Sequence, residues 1–303
     1  MKATPADATR AANEAFGRHP GYRALHARGV LLKGTFTATP EAASLTRAGH
    51  LQGDPVPVTV RVSNGNGDPQ VPDYMPDVRG LAVKFYLPDG ARTDIVAQTA
   101  PRFPVRTPEA FLELLRAQKP SPAMAWKLPL FLARHPEALV RLPPNVPALR
   151  PPESYATCRY YAIHAYRFLD SGGGAHYVRY TFLPAAGDRR LGPREAKRRG
   201  PEYLQQEIRE RVAREPIRFD LELQIAQPGD NVDDPASSWP SRRQRVIAGT
   251  LEITGLETER ETGGDVLVFD PSRVADGIEC SEDPVLRFRP AAYSDSVAKR
   301  TEG

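Results

Sequence analysis

Hydrophobic and polar residues alternate along several segments of the chain as half-buried β-strands require. Segment 217–226, IRFDLELQIA, has an apolar residue at every second position from Ile217 to Ile225. Because successive side chains of a strand point to opposite faces, all of these residues share one face. Strands are also predicted at 29–38, 57–63, 79–87, 93–97, 155–169, 175–183 and 244–254.

About eight strands, with few helices between the later ones, predict the α+β class. The natural arrangement is an antiparallel eight-stranded β-barrel core with inserted and peripheral helices. The clearest helix is TPEAFLELLRAQ (107–118), with Thr107 as N-cap and Pro108 at the first helical position. Further helices are predicted at 4–16 and 40–48, within 122–140, and at 200–215.

Closely spaced glycines occur in SNGNGD (63–68). Their spacing is not that of a nucleotide-binding G-x-G-x-x-G loop. Asn-Gly pairs are typical of tight β-hairpins, so we interpret this stretch as a hairpin turn.

Composition bounds the class of protein. A chain of 303 residues with 40% apolar and 26% charged residues is typical of a soluble globular protein of one large or two small domains. The N-terminal MKATPADATRAANEAFG lacks an apolar stretch, and no segment approaches 18 apolar residues. We therefore expect neither a secretory signal nor a membrane span, and a cytoplasmic location.

The net charge and the cysteine content say little about the function of the chain. The net charge is +4, and the basic cluster DRRLGPREAKRR (188–199) fits either an anionic partner or a solvated face. No aromatic residues interleave the cluster, so we favour the solvated face and expect no nucleic-acid partner. The cysteines, Cys158 and Cys280, lack metal-site spacing and are expected to be free thiols.

Two short stretches carry candidate chemistry. YRALHARG (22–29) places His26 between Arg23 and Arg28, which taken alone is more often a structural arrangement. RPAAYSDSVAKR (289–300) has Tyr293 with an arginine four residues before it and another seven after it. At about 100° per residue the three share a helix face, where two cations favour an ionised phenol. The same spacing also fits a solvent-exposed helix end.

A third stretch, DVRGLAVKFYLPDG (77–90), connects these two. HARG, an Arg-x-Ser strand, this ten-residue core and the final Arg-x-x-x-Tyr occur in the order found in haem catalases. The chain from about 22 to 300 therefore resembles the haem catalase family. It is most similar to the short catalase-related haem peroxidases, since it stops soon after the tyrosine.

The resemblance implies a single catalase-like haem-binding domain over 1–303 that holds haem b. It implies an N-terminal arm at about 1–25 and a helix carrying the proximal haem ligand at about 289–301. Tyr293 matches the axial ligand of the haem iron, a tyrosinate. Arg289 matches the residue that stabilises the phenolate, and Arg300 a partner of a haem propionate.

The resemblance also implies the residues on the opposite, distal side of the haem. His26 matches the acid–base histidine that moves the peroxide proton, and Ser63 the residue that orients its ring. Arg23 and Arg61 match positions that hold propionates. Phe111 matches an aromatic residue that packs on the haem.

One segment departs from the family pattern. Asp-x-Val-Gly-Asn-Asn-x-Pro is replaced here by DIVAQTAP (94–101), so the distal asparagine falls on Gln98. The extra methylene moves the amide, which disfavours holding a second peroxide. The aromatic pair that follows the proline is also altered, to Arg102 and Phe103.

These observations predict a haem peroxidase. It would reduce hydrogen peroxide or organic hydroperoxides with a small organic donor and have weak or no catalase activity. The alternatives are a true catalase, a fatty-acid hydroperoxide isomerase or lyase, and a non-enzymatic barrel that stores or senses haem. Since the chain is shorter at both ends than the large catalases, the resemblance implies a homodimer.

Overall fold

The computed structural model describes residues 3–118, 122, 124–258 and 267–301, with side chains up to residue 295 in the last stretch. Nine antiparallel strands form a single sheet in this part of the chain. They are β1 (Gly29–Ala38), β2 (Val56–Asn64), β3 (Arg79–Tyr86), β4 (Arg92–Gln98), β5 (Tyr160–Leu169), β6 (Ala175–Pro184), β7 (Ile217–Ile225), β8 (Arg245–Leu256) and β9 (Ile278–Cys280).

The sheet closes into the predicted eight-stranded antiparallel barrel. Its order is β4-β3-β2-β1-β8-β7-β6-β5, and a pairing between Gln98 and Tyr161 joins β4 to β5. The three-residue β9 pairs with β5 outside the barrel and was not predicted. The predicted strand 155–169 begins only at Tyr160, because Ser154 caps a short 3₁₀ turn over Tyr155–Thr157.

Alternation along the strands separates two environments. Leu81, Val83 and Phe85 of β3 belong to the large apolar core, together with side chains from the other strands such as Phe36 and Leu221. The intervening residues of β3 point to the other face, where the candidate site lies. Strand alternation therefore fixes which residues can reach that site.

The helices are α1 (Pro5–Phe16), α2 (Pro40–Leu45), α3 (Pro108–Ala117), α4 (Met124–Arg134), α5 (Ala138–Arg141), α6 (Pro193–Arg198), α7 (Tyr203–Arg214) and α8 (Pro284–Thr301). The predicted cap of α3 is confirmed, since the Thr107 side chain accepts from the backbone N–H of Ala110. The helical region predicted within 122–140 consists of α4 and α5, separated at Pro136, which has no backbone N–H to donate to the preceding turn. Helix α8 begins at Pro284, earlier than the expected 289.

A second apolar cluster joins the helices to the barrel. Phe131 of α4 and Val285 of α8 pack with Phe103 and with Ile163 of β5. The N-terminal helix α1 is tied to α8 as well as to α3, since Thr9 Oγ1 donates a hydrogen bond of 2.6 Å to Asp295. The helices thus form a layer against one side of the barrel.

The interpretation of SNGNGD as a hairpin turn is wrong. Strands β2 and β3 are paired, but residues 65–78 connect them, and neither Gly65 nor Gly67 has a positive φ. A Cβ on Gly67 would lie 2.2 Å from the carbonyl oxygen of Ala24. The glycines permit close approach of the segment that precedes β1.

Candidate functional site

His26 occupies a strained turn just before β1. It is the one non-glycine residue with positive φ, 55°, among the residues described. Its backbone N–H donates to the carbonyl of Gly65 at 3.0 Å, and that of Ala27 donates to Asn66 at 3.0 Å. These bonds hold a conformation that non-glycine residues adopt infrequently and that often marks functional sites.

The His26 ring lies above the sheet and is held by Ser63. Nδ1 and Ser63 Oγ are 3.0 Å apart. Ser63 of β2 is directly opposite Gly80 of β3, where a Cβ would lie 2.8 Å from both atoms of this hydrogen bond. The ring therefore needs glycine at 80, a requirement that sequence reasoning missed although Arg79-Gly80 lies within the recognised motif.

Burial and charge keep His26 neutral. By surface area the residue is half-buried, but the surrounding protein still removes much of the hydration of its ring. This desolvation, followed by the positive charges of Arg61, Arg289 and Arg23, lowers the pKa of His26 to about 3. Three of the predicted cofactor-binding arginines are thus brought together around the predicted acid–base residue.

Two of these arginines are fixed by backbone carbonyls. Arg61 Nη2 donates to the carbonyls of His26 at 2.9 Å and Ala27 at 3.3 Å. Its guanidinium lies where a Cβ on Gly29 would be 2.8 Å away, so this position also requires a small residue. Arg23 donates to the carbonyl of Leu267 at 2.8 Å.

Gln98 lies in the same row of the sheet as Ser63. Gly80 is directly opposite Ser63 on one side and Gln98 on the other, so all three share a face. The His26 ring lies over Gly80, so Gln98 is on the same face of the sheet as that ring. Its amide nitrogen is directed to the carbonyls of Ala100 at 3.4 Å and Arg102 at 3.5 Å.

The predicted aromatic residue belongs to the helical layer. Phe111 of α3 is half-buried, and its ring centroid is 4.8 Å from that of Phe103. Phe103 is buried, so one aromatic residue of the altered pair is kept in the protein interior. Arg102 is half-buried, and its backbone carbonyl accepts from Asn145 at 3.1 Å.

Helix α8 contains the residues predicted for the proximal side of the haem. Asp283 precedes this helix, and its Oδ1 accepts from the backbone N–H of Val285 at 2.8 Å. Its other oxygen is 2.6 Å from His164 Nδ1, and both side chains are buried. Burial, opposed by this hydrogen bond, lowers the pKa of His164 to about 4. Sequence reasoning missed this pair because its members are distant along the chain.

Tyr293 is half-buried on α8. Burial raises the pKa of Tyr166 well above its usual range, and Arg289 and Tyr293 both lie close enough to act on this phenol electrostatically. Arg289 Nη1 is buried and has no hydrogen-bond partner among the residues described, and the same is true of His164 Nε2. The side chain of Arg300 lies outside the described residues.

These features fit the haem that the sequence resemblance implies. Haem carries two carboxylates, and the arginines around His26 supply the complementary charge. A buried guanidinium nitrogen without a partner, next to a tyrosine, suits an anionic phenolate. Arg23, Arg61 and Arg289 are therefore the described residues best placed to bind such a group, with Tyr293 as the candidate iron ligand.

Comparisons with known proteins agree with the geometry. Residues 16–303 match the family model described as Catalase. The chain is 48% identical over 298 residues to a catalase-related peroxidase of Mycolicibacterium paratuberculosis, covering 98% of this chain and 95% of that one. It is 34% identical over 304 residues to a catalase-related peroxidase of Synechococcus elongatus, covering 99% and 89%.

Solved structures show the same fold. A fungal catalase superposes with a TM-score of 0.81 at 23% identity, over 94% of this chain and 61% of its own. Catalase A from Saccharomyces cerevisiae gives the same score and identity over 93% and 62%. The barrel, the ordered motifs and the family match lead to one conclusion: the chain belongs to the catalase family.

Proposed function

We propose that the protein is a haem peroxidase that reduces hydrogen peroxide or organic hydroperoxides with a small organic donor. The observation that carries the proposal is the placement of His26: Ser63 fixes its imidazole, arginines surround it, and its lowered pKa favours the neutral form. Peroxide reduction requires a group that accepts a proton from one oxygen and delivers it to the other. A neutral imidazole can do both.

The contact with Ser63 supports a separate task for each ring nitrogen. In the tautomer whose Nδ1–H donates to Ser63 Oγ, the lone pair of Nε2 is available to the peroxide. Nε2 accepts the proton of the peroxide oxygen that will be retained and returns it to the oxygen that leaves as water or alcohol. Bound haem would supply the redox chemistry that transfers two electrons from the donor to the peroxide.

The arginines and Tyr293 would hold that cofactor. Arg61 and Arg23, fixed by backbone carbonyls, would face the propionates, and Tyr293 would ligate the iron as a phenolate. Arg289 would stabilise the phenolate charge, which gives its unpartnered nitrogen an acceptor. Desolvation, and after it these same cations, lower the pKa of His26, so the charges that would bind the cofactor also help to keep the imidazole neutral.

Gln98 favours peroxidase over catalase activity. Its amide is directed to the carbonyls of residues 100 and 102. In this position it does not present a donor for a second hydrogen peroxide molecule. The oxidised enzyme would then be reduced by an organic donor.

The test compares three assays on one haem-loaded preparation. We expect rapid oxidation of a chromogenic donor by hydrogen peroxide, little oxygen release in an oxygen electrode, and little turnover of lipid hydroperoxide without a reductant. Dominant oxygen release would indicate a true catalase, and reductant-free turnover an isomerase or lyase. Haem binding without peroxide turnover would indicate storage or sensing.

The ligand assignment is tested separately. Tyr293→Phe should lose the haem or change its Soret absorbance, because the phenylalanine ring cannot ligate iron. Tyr22→Phe, at an exposed tyrosine, is the control and should leave both unchanged. An unchanged Soret band in Tyr293→Phe would refute the assignment.

A further inference from the structure

Exposed apolar side chains are concentrated in one part of the described surface. Of nine large hydrophobic side chains that are exposed there, six lie between residues 124 and 146. They are Met124, Trp126, Leu130, Leu139, Val140 and Val146, which we call the apolar patch. Trp126 is 58% exposed and Val140 is 73% exposed. Exposed apolar side chains concentrated in one segment in this way are a feature of interaction sites.

Helix α4 shows why the patch exists. Its inner face packs through Leu128, Phe131 and Leu132 against the helical layer. Its outer face repeats apolar residues at helical spacing, with Trp126 and Leu130 exposed one turn apart. A helix that is apolar on both faces is normally buried, so the outer face of α4 is suited to a partner. With 11 residues it is too short to span a membrane.

The charges around the patch are mostly positive. Segment 124–150 has four Lys and Arg residues and one carboxylate, Glu137. Arg134 and Arg141 are paired with Glu113 and Asp234. Lys127, which stacks over the Trp126 ring at 5.8 Å, and the exposed Arg150 are the cations that this surface presents to a partner.

The basic cluster continues this surface. Arg190 donates to the carbonyls of Ala148 and Arg150, and the N–H of Leu191 donates to Pro151, which places α6 beside the end of segment 124–150. Helix α6 exposes Arg194, Lys197 and Arg198. The carboxylates near them are already engaged, since Glu195 pairs with Arg199 and Asp188 with Arg190. The two regions together present apolar side chains next to surplus cations.

Apolar side chains next to surplus cations suit some binding partners better than others. A two-fold dimer would place the patch against itself and bring the cations of both copies to one interface, with few free carboxylates to balance them. An anionic lipid bilayer accepts apolar side chains and attracts the surrounding cations at once. Trp126 beside Lys127 also suits the membrane interface, which favours aromatic residues with polar tips.

We propose that the apolar patch and the cations of α6 form a docking surface for an anionic lipid bilayer. The described part of the chain contains no helix long and apolar enough to cross a membrane, so the protein would lie on the surface. Beneath the patch, Phe131 lies in the same apolar cluster as Phe103, whose ring centroid is 4.8 Å from that of Phe111, the predicted haem-packing residue. Docking would place this cluster next to the bilayer.

The test measures flotation of the full haem-loaded protein with vesicles in a density gradient. We expect binding to vesicles of equal parts phosphatidylcholine and phosphatidylglycerol, weaker binding at high salt, and little binding to phosphatidylcholine alone. The double substitution Leu139→Asn with Val140→Asn should weaken binding at least about tenfold, because two apolar groups lose their lipid contacts. Arg194→Gln with Lys197→Gln and Arg198→Gln should weaken binding to the anionic vesicles.

Ile247→Asn is the matched control. Ile247 is an exposed apolar residue of β8 outside the patch, so its substitution should leave vesicle binding unchanged. Hydrogen exchange on the unmodified protein provides a readout that needs no variant. Anionic vesicles should slow exchange of the amides of α4 and leave those of α7 unaffected.

Three outcomes would overturn the proposal: no flotation with anionic vesicles, equal binding to both vesicle types, or full binding by the Leu139 and Val140 variant. Failure to float, combined with a dimer that this variant dissociates, would assign the patch to self-association instead. No peroxide is used, so the result is independent of the proposed activity.

Discussion

The two sides of the candidate site are held by different kinds of structure. On the distal side, Ser63, Gly80 and Gln98 are aligned by strand register, and His26 is fixed above them by its hydrogen bond to Ser63. The proximal side depends on one helix, α8, capped by Asp283 at its start. The sheet can position the candidate proton-transfer group closely, whereas the helix places the candidate iron ligand and a cation one turn apart.

This difference predicts separable effects of substitution. Substitutions on the distal side should alter the rate of peroxide reduction while the cofactor remains bound. Proximal changes should alter stability and cofactor binding first. The following substitutions test that separation, from the largest expected effect to the smallest.

His26→Ala should slow peroxide-dependent oxidation of the donor by about 10²–10⁴-fold, because the proton-transfer group is lost. The Soret absorbance should be retained. His26→Asn is the matched variant, since asparagine tolerates the left-handed backbone but is not a base. Stopped-flow measurement of the peroxide reaction checks both variants, and an unchanged rate in either would remove the acid–base role.

Asp283→Ala should reduce the free energy of unfolding by about 3 kcal/mol. The substitution removes the cap of α8 and leaves the buried His164 without its partner. Denaturant unfolding measures the effect. Glu282→Ala, at the exposed neighbouring residue, should change the stability by less than about 0.5 kcal/mol. Equal effects of the two substitutions would contradict the role of Asp283 on the proximal side.

Gly80→Ala should destabilise the fold by about 1–3 kcal/mol and displace the His26 ring, because the new methyl group overlaps the bond to Ser63. The rate of peroxide reduction should fall and the Soret absorbance should remain. Gly255→Ala is the control in the same sheet, since its Cβ would meet Lys33 at an ordinary distance of 3.4 Å. A normal rate in Gly80→Ala would show that the ring is not fixed by this contact.

His50 provides a comparison outside the site. It is buried in the barrel against Phe85, and burial lowers its pKa to about 3. The unfolded chain binds a proton at His50 below about pH 6.5, whereas the folded chain does not until about pH 3, so stability falls as the pH falls through this window. Removing one such histidine should reduce the slope of the unfolding free energy against pH by about 1.4 kcal/mol per pH unit.

The measurement is the free energy of unfolding of His50→Leu and of the unmodified chain between about pH 4 and pH 6. The stability of the variant should decline less steeply with acid. Equal slopes would show that His50 does not contribute to acid sensitivity. The rate of peroxide reduction should be unaffected, because His50 faces the barrel core.

The sequence predicted the parts of the molecule that depend on local pattern. Alternation located all eight barrel strands, and Thr107-Pro108 located the start of α3. The ordered motifs selected His26 and Ser63, which lie in contact, and Arg23, Arg61 and Arg289, which act on the same histidine. The roles of these residues, and that of Tyr293, stay predictions.

The features that could not be predicted depend on strand register and on the close approach of segments that are distant along the chain. The need for glycine at 80 arises only when β3 pairs with β2 and the His26 ring lies above it. The contact of His164 with Asp283 joins a strand to a distant helix start. SNGNGD was misinterpreted because the local preference of Asn-Gly for tight turns gave no information about the segment that packs against it.

The closure of the barrel has a mechanical consequence. Within the described strands, β4 meets β5 through one residue pair, whereas β3 and β4 share seven. Regions of a fold with few stabilising contacts open locally at the lowest free energy. We therefore expect local opening of the barrel to begin along the seam between β4 and β5. Gln98 lies on that seam, beside the position where peroxide is proposed to bind.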